Sequence, residues 1–222
     1  MKVEIWSDVM CPFCYIGKRR FEKALAEFPG RDQVQVEWKS FQLAPGLKTE
    51  KGQSLDQYLS GSKGWTLEQA RQANAQVTAM AAGEGLTYHL DKAIVANSFD
   101  AHRLIQLGKA HDRGNEVEES LFNAYFTEGK DIADANTLRE LGIAVGLPQP
   151  EVDDLLQSDA YAEAVENDIY ESRQIGVTGV PFFVLNDKYA VTGAQAAETF
   201  AGALNRAFSE WEKENDNSTV AG

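Results

Sequence analysis

The chain has 222 residues, 43% hydrophobic and 25% charged, which fits one globular unit or one unit carrying a large insertion. Its 34 acidic and 21 basic residues give a formal charge of −13, which disfavours nucleic acid and anionic membrane surfaces as partners. No run of about 18 apolar residues could span a bilayer. No basic segment leads into an apolar stretch near Met1, so the expected compartment is the cytoplasm.

The alternation in Val3-Glu4-Ile5-Trp6 predicts a first strand. A helix over 12–28 follows, with Ile16, Phe21, Ala24, Leu25 and Phe28 near one face and Lys18, Arg19, Glu22 and Lys23 on the other. Pro29-Gly30 stops it. Residues 33–43 alternate again, predicting a second strand parallel to the first in a βαβ unit. From Pro45 to Trp65 the Gly, Ser and Lys content predicts a loose connection with one short helix near 54–59.

Helices then dominate. Thr66-Leu67-Glu68-Gln69 is a capping-box sequence and starts a helix that fades at Gly83-Glu84-Gly85. Asn97 and Ser98 are caps for a helix carrying Ala101, Leu104, Ile105 and Gly108 at helical spacing. Asn115-Glu116-Val117-Glu118 has the form of a second capping box, opening a helix to about Phe126. Further helices are predicted over 136–145, 150–156 and 159–175. Strands return with Pro181-Phe182-Phe183-Val184-Leu185, then the turn Asn186-Asp187-Lys188 and the strand Tyr189-Ala190-Val191-Thr192. Gly193-Ala194-Gln195 leads into a last helix through Phe200, Leu204, Phe208 and Trp211, with a polar tail from Asn215. Trp6, Trp38, Phe182 and Phe183 are read as core.

Cysteine usage points to chemistry. The two cysteines, Cys11 and Cys14, share one tetrapeptide, too short a loop to stabilise much as a structural bridge. Tetrahedral structural zinc needs four ligands, and the histidines, His89, His102 and His111, lie far along the chain, so no metal is expected. Pro12 suits the first position of a helix, whose N-terminus presents free N–H groups and partial positive charge. Cys11 is therefore expected to have a lowered pKa and to attack. Cys14, one turn further in, is placed to resolve. Pro181 cannot donate to a sheet ladder, so it suits the first position of its strand and is compatible with a cis bond.

These residues resemble thioredoxin-fold proteins, in particular cytosolic DsbA-like oxidoreductases of the FrnE type. The likeness is carried by Ser7-Asp8-Val9-Met10-Cys11-Pro12-Phe13-Cys14-Tyr15-Ile16-Gly17 and by Asn97-Ser98-Phe99-Asp100-Ala101-His102-Arg103-Leu104. Gly176-Val177-Thr178-Gly179-Val180-Pro181-Phe182-Phe183-Val184 and Gly193-Ala194-Gln195 complete it. The resemblance implies an α/β protein with a thioredoxin fold (βαβ … ββα) interrupted by a large all-helical insertion. Its halves would span 1–44 and 166–214, the insertion 45–165, and a flexible tail 215–222. It also implies dithiol–disulfide exchange with protein or small thiols, no cofactor beyond the cysteine pair, and glutathione as a candidate substrate.

Carried over by position, Cys11 is the nucleophile, Cys14 the resolving thiol and Pro181 a cis-proline, with Pro12 and Phe13 supporting. Val180, Gly179, His102 and the Gly193-Ala194-Gln195 turn are candidate substrate contacts. Asp8 is a candidate for proton transfer, although a turn role suits it better, and His102 is as readily a core-edge residue. Related 2-hydroxychromene-2-carboxylate isomerases and kappa-class glutathione transferases typically carry serine in place of Cys11, so a glutathione-dependent transferase or isomerase is the alternative. Phe13 cannot stabilise a thiolate by charge as a histidine there could, which predicts a less oxidising pair than DsbA.

Overall fold

The computed structural model describes residues 1–49 and 52–220, with 216–220 described by backbone alone. Strand β1 (Lys2–Ser7) leads to helix α1 (Pro12–Ala26), a 3₁₀ turn (Arg31–Gln33) and strand β2 (Gln35–Ser40). β1 and β2 pair in parallel from Lys2↔Gln35 to Ser7↔Ser40. After seven helices come β3 (Phe182–Leu185), β4 (Tyr189–Thr192) and α9 (Ala197–Val220). β3 pairs antiparallel with β1, and β4 with β3, giving one sheet of order β2-β1-β3-β4. This is the βαβ … ββα arrangement expected from the sequence.

β1 is central and covered on both faces: Val3, Glu4, Ile5, Trp6 and Ser7 are all buried. Phe21 of α1, Phe183 of β3 and Phe200 of α9 pack together with ring centroids 4.6–5.7 Å apart. Removing the buried Phe183 ring should cost about 3–5 kcal/mol. Trp6, Trp38 and Phe183 are buried as expected; Phe182 is half-buried, edge-on to Trp6.

The helices between β2 and β3 are α2 (Leu55–Lys63), α3 (Leu67–Gly83), α4 (Phe99–Ala110), α5 (Gly114–Asn123), α6 (Ala135–Ala144), α7 (Gln149–Gln157) and α8 (Ala162–Gln174). The Thr66–Gln69 capping box forms with both reciprocal hydrogen bonds, and Ser54–Gln57 makes another at α2. At α4 it is the Asn97 side chain, not Ser98, that accepts the Phe99 N–H, at 2.9 Å. The Arg103 guanidinium holds the end of α7 to the start of α8 through the carbonyls of Leu155, Ser158 and Ala160.

The expected capping box at Asn115–Glu118 does not form. α5 begins at Gly114 with Arg113 as its cap and no side-chain bond there. Glu118 therefore lies inside the helix and faces the core. The segment after α5 is also not a simple continuation, because Ala124–Glu128 forms a π-helical turn. α8 starts later than the sequence suggests, after Tyr161. Residues 165 and 166 both lie within α8, which packs on both α4 and β2. One continuous apolar core joins sheet residues such as Ile5 and Phe183 to Leu104, Leu121 and Val152 of the helices. α9 remains helical to Val220, beyond the point where the polar tail begins. Residues 221–222 of that tail, and residues 50–51 of the 45–65 connection, lie outside the described residues.

Candidate active site

Cys11 is the N-cap of α1, in extended conformation, with Pro12 following. Its N–H bonds to Asp8 O at 2.9 Å, and its own carbonyl accepts Cys14 N–H at 3.0 Å. No acidic residue occupies the first turn, so nothing there offsets the positive end of the helix. Both thiols are free. Cys11 is 3% exposed and Cys14 1%, so the attacking thiol is nearly as enclosed as its partner. Phe13, between them, projects outward at 44% exposure.

The enclosure comes from the far end of the chain. The Cys11 thiol donates to the Val180 carbonyl oxygen at 3.4 Å. The Val180–Pro181 peptide bond is cis. Pro181 O accepts Gly193 N–H at 2.8 Å, and Gly193 holds φ +76, a region that favours glycine. Arg20 of α1 donates to Ala194 O at 2.7 Å and pairs with Glu84 at the end of α3. The Gly193–Gln195 turn thus braces the Pro181 segment against α1. Its Gly193 and Gln195 N–H groups are already engaged, the latter with Gly193 O. Gly17 permits the approach: a Cβ there would lie 2.9 Å from Pro181 Cγ.

The helices between β2 and β3 form another side of the site. Tyr88 donates its hydroxyl to Pro12 O at 2.7 Å. Its ring stacks on Phe126 at 4.7 Å, and Tyr15 stacks on Phe122 at 4.8 Å. Glu119 pairs with Lys18 at 2.7 Å and also with Arg19. Burial works against the Glu119 charge, but hydrogen bonds from Arg19, Lys18 and Tyr15 outweigh it and hold the carboxyl down at about 2.

A buried polar cluster lies against β1 and α1. Burial raises the Cys14 thiol well above its ordinary value, and the neighbouring Cys11 thiol pushes the same way. The Asp8 backbone and the Ser7 side chain pull it back in part. The Ser7 hydroxyl donates to Glu118 Oε1 at 2.7 Å. Burial pushes Glu118 up to about 7, against the pull of Ser7, His102 and Lys18.

His102 lies inside the protein at 1% exposure, with Nε2 3.4 Å from Asp8 Oδ1. That nitrogen makes no well-aligned hydrogen bond. Burial disfavours its charge, yet the carboxylates of Asp8, Glu118 and Asp168 shift it upward overall. Asp8 accepts Leu43 N–H at 2.7 Å and Met10 N–H at 3.3 Å, so its carboxylate fixes the loop before Cys11.

Cys11, Cys14, Val180 and Pro181 therefore come together, with Phe13 and Gly179 exposed beside the half-buried Val180. Sequence reasoning missed Ser7, Gly17, Tyr88 and Glu118. Ser7 and Gly17 lie within the cysteine-bearing segment, and that adjacency was a usable signal. Tyr88 and Glu118 carried none, because their roles arise from long-range packing.

The fold and this constellation define a thioredoxin-type protein whose two-cysteine helix start faces a Val–Pro bond. The chain belongs to the DSBA-like thioredoxin domain family, which it matches over residues 2–205. It is 42% identical to a probable DsbA oxidoreductase from Streptomyces coelicolor; that crystal structure gives a TM-score of 0.90 over 95% of this chain and 91% of the other. Two more distant structures share the fold. One is a 2-hydroxychromene-2-carboxylate isomerase, 18% identical, with TM-score 0.68 over 98% of each chain. The other is the cytosolic disulfide reductase DsbM from Pseudomonas aeruginosa with GSH, 18% identical, with TM-score 0.62 over 97% of this chain and 100% of that one.

Proposed function

We propose that the chain is a thiol–disulfide oxidoreductase that uses the Cys11–Cys14 pair on protein or small-molecule thiols. In the reducing direction, Cys11 loses its proton and attacks a substrate disulfide, releasing one substrate thiolate and forming a mixed disulfide. Cys14, after losing its proton, attacks Cys11 Sγ. The mixed disulfide breaks, the second substrate thiolate leaves, and both substrate thiolates take up protons. Two electrons pass to the substrate, and the pair is left as a disulfide. The reverse sequence oxidises a dithiol.

The observation that carries this reading is the 3.4 Å contact of the Cys11 thiol with Val180 O, with Cys14 one turn further along the same helix. An extended substrate pairing with the Val180 backbone would bring its sulfur to Cys11. Glutathione is the first small thiol to test, given the glutathione complex of DsbM. The acidic balance argues against nucleic-acid partners.

Insulin reduction by the full chain tests the proposal. Activity lost in both Cys11→Ala and Cys14→Ala supports it; full activity in both variants refutes it. Turnover of a chromene substrate or an electrophile that survives loss of Cys11 would favour the transferase or isomerase reading instead.

A further inference from the structure

We propose that Arg20, held by Glu84, is a positioning residue for disulfide exchange: it fixes the Gly193–Gln195 turn on α1 and so sets the Val180 backbone edge at the distance from Cys11 that an extended peptide substrate needs. This rests on the exchange chemistry proposed above and names the group through which the helices between β2 and β3 act on the docking edge.

That edge lies outside the sheet. The β3–β4 register ends at Phe182↔Thr192, and Pro181 has no N–H with which to extend it. Pro181 O takes the Gly193 N–H at 2.8 Å, so the placing of Val180 and Pro181 passes to the turn that follows β4. The carbonyls of that turn are each engaged. Thr192 O accepts Gln195 Nε2 at 2.9 Å, and Gly193 O accepts the Gln195 N–H at 3.0 Å. These two bonds are internal and shape the turn. Ala194 O accepts Arg20 Nη1 at 2.7 Å, which ties the turn to the helix that carries Cys11. The contacts close into a ring: Arg20 to Ala194, Gly193 to Pro181, Val180 to Cys11, and α1 from Cys11 back to Arg20.

Glu84 aims the guanidinium. It accepts Arg20 Nε at 2.6 Å, so one planar fork holds a carboxylate and a backbone carbonyl at once. Glu84 is the C-cap of α3, and a few residues on, Tyr88 donates to Pro12 O. Pro12 to Arg20 is about 12 Å of helix, a span that the short stretch from Glu84 to Tyr88 can cover when extended. This stretch therefore grips α1 on both sides of Gly17, where the helix meets Pro181. Its other side is fastened to the π-helical turn: Thr127 Oγ1 donates to Thr87 O, and His89 N–H donates to Phe126 O, each at 2.7 Å. The Arg20 and Glu84 side chains are 21% and 22% exposed. An ion pair that near the surface adds little to stability by itself; the bond to Ala194 O is what gives it a consequence at the site.

The test compares two disulfides that share a leaving thiol. One is a short linear peptide whose central cysteine is joined to 2-mercaptoethanol. The other is hydroxyethyl disulfide, which has no backbone to pair with Val180. Each is mixed in excess with the reduced full chain, and loss of protein thiols after acid quench gives a second-order rate constant. In Arg20→Met the ratio of the peptide constant to the hydroxyethyl constant should fall about tenfold, the scale of one hydrogen bond to a charged group. Glu84→Ala should lower the ratio in the same direction. Glu84→Gln, which still accepts from Arg20 Nε, should keep the wild-type ratio. A purely structural role would change the unfolding midpoint and leave the ratio alone. Thermal unfolding shows which variants are folded at the assay temperature, and the two Glu84 variants carry the test if Arg20→Met is not. An unchanged ratio in Arg20→Met or in Glu84→Ala overturns the inference, as does an equal fall in Glu84→Gln and Glu84→Ala. A wild-type chain that reacts with neither disulfide overturns the exchange chemistry itself.

Discussion

The Cys11 thiol donates to the backbone carbonyl of Val180 across 169 residues of chain, at 3.4 Å. The contact joins the start of α1 to the segment entering β3, and it places a backbone edge beside the attacking sulfur. A substrate docked on that edge would reach Cys11 before Cys14. Cys14→Ala should therefore accumulate mixed disulfides with substrate, and Cys11→Ala should not. Non-reducing gels and intact mass after incubation with a disulfide substrate read this directly; equal trapping by both variants contradicts the assigned order.

Gly17 sets the distance between α1 and Pro181. An added Cβ would meet Pro181 Cγ at 2.9 Å and Phe183 Cζ at 3.5 Å. Gly17→Ala favours the helix by about 1 kcal/mol, but the clash should cost about 1–3 kcal/mol and displace the Pro181 segment from Cys11. Slower Cys11 alkylation together with a lower unfolding midpoint is the expected result. A stabilised variant with unaltered thiol reactivity would show that the approach is looser than it looks.

Phe13 is exposed between the cysteines and carries no charge to favour the Cys11 thiolate. The pair should therefore be less oxidising than DsbA, with a potential below roughly −120 mV. Equilibration in glutathione buffers measures it, and a value at or above that figure defeats the argument. Phe13→His should raise the potential by about 30 mV or more, equivalent to roughly 1.4 kcal/mol of thiolate stabilisation.

The buried pair His102 and Asp8 should appear in an NMR titration. Burial lowers the His102 pKa, but Asp8 and the acids behind it raise it above 6.5 overall. Asp8→Asn removes the main raising group, so the His102 midpoint should fall. The same substitution leaves the hydrogen bonds to Leu43 and Met10 weaker, and thermal stability should drop by about 1 kcal/mol or more. A His102 midpoint that does not move would mean the 3.4 Å contact carries little charge interaction.

Stability should be greatest at mildly acidic pH. His102 is raised above 6.5, so its contribution is complete below 6.5 and is lost as pH rises through the folded value. Glu118 is raised from 4.5 to about 7, so its contribution is complete below 4.5 and is lost as pH climbs through about 7. Glu119 is lowered from 4.5 to about 2, so its contribution is present above 4.5 and is lost as pH falls towards 2. Glu119→Gln leaves Lys18 with less compensation in a buried place and should cost about 2–3 kcal/mol at neutral pH. Urea midpoints across pH 3–9, for the wild type and for Glu118→Gln and Glu119→Gln, check each sign.

The sheet was readable because its strands alternate or run apolar, and turn residues bound them. Thr66–Gln69 was readable for a similar reason, since a capping box is a local hydrogen-bond pattern. The same pattern at Asn115–Glu118 misled. Gly108 admits Val117 so closely that a Cβ would lie 2.6 Å from Val117 Cγ2. α5 seats itself by that packing against α4, starts at Gly114, and turns Glu118 inward. His102 was equally ambiguous as a residue type; its place beside Asp8 is a matter of how α4 meets the loop after β1.

Sequence alone determined the chemistry on offer. Two sulfurs three residues apart behind a helix-starting proline, and a proline at the head of a strand, are local facts that survive any arrangement of the rest. Tertiary structure decided what those sulfurs face. The Val180 carbonyl, the Tyr88 hydroxyl and the Ser7–Glu118 pair reach the site from segments distant along the chain. Only the burial of one shared apolar core fixes their distances, and the same burial, by removing water, sets which carboxyl near the site can hold a proton at neutral pH.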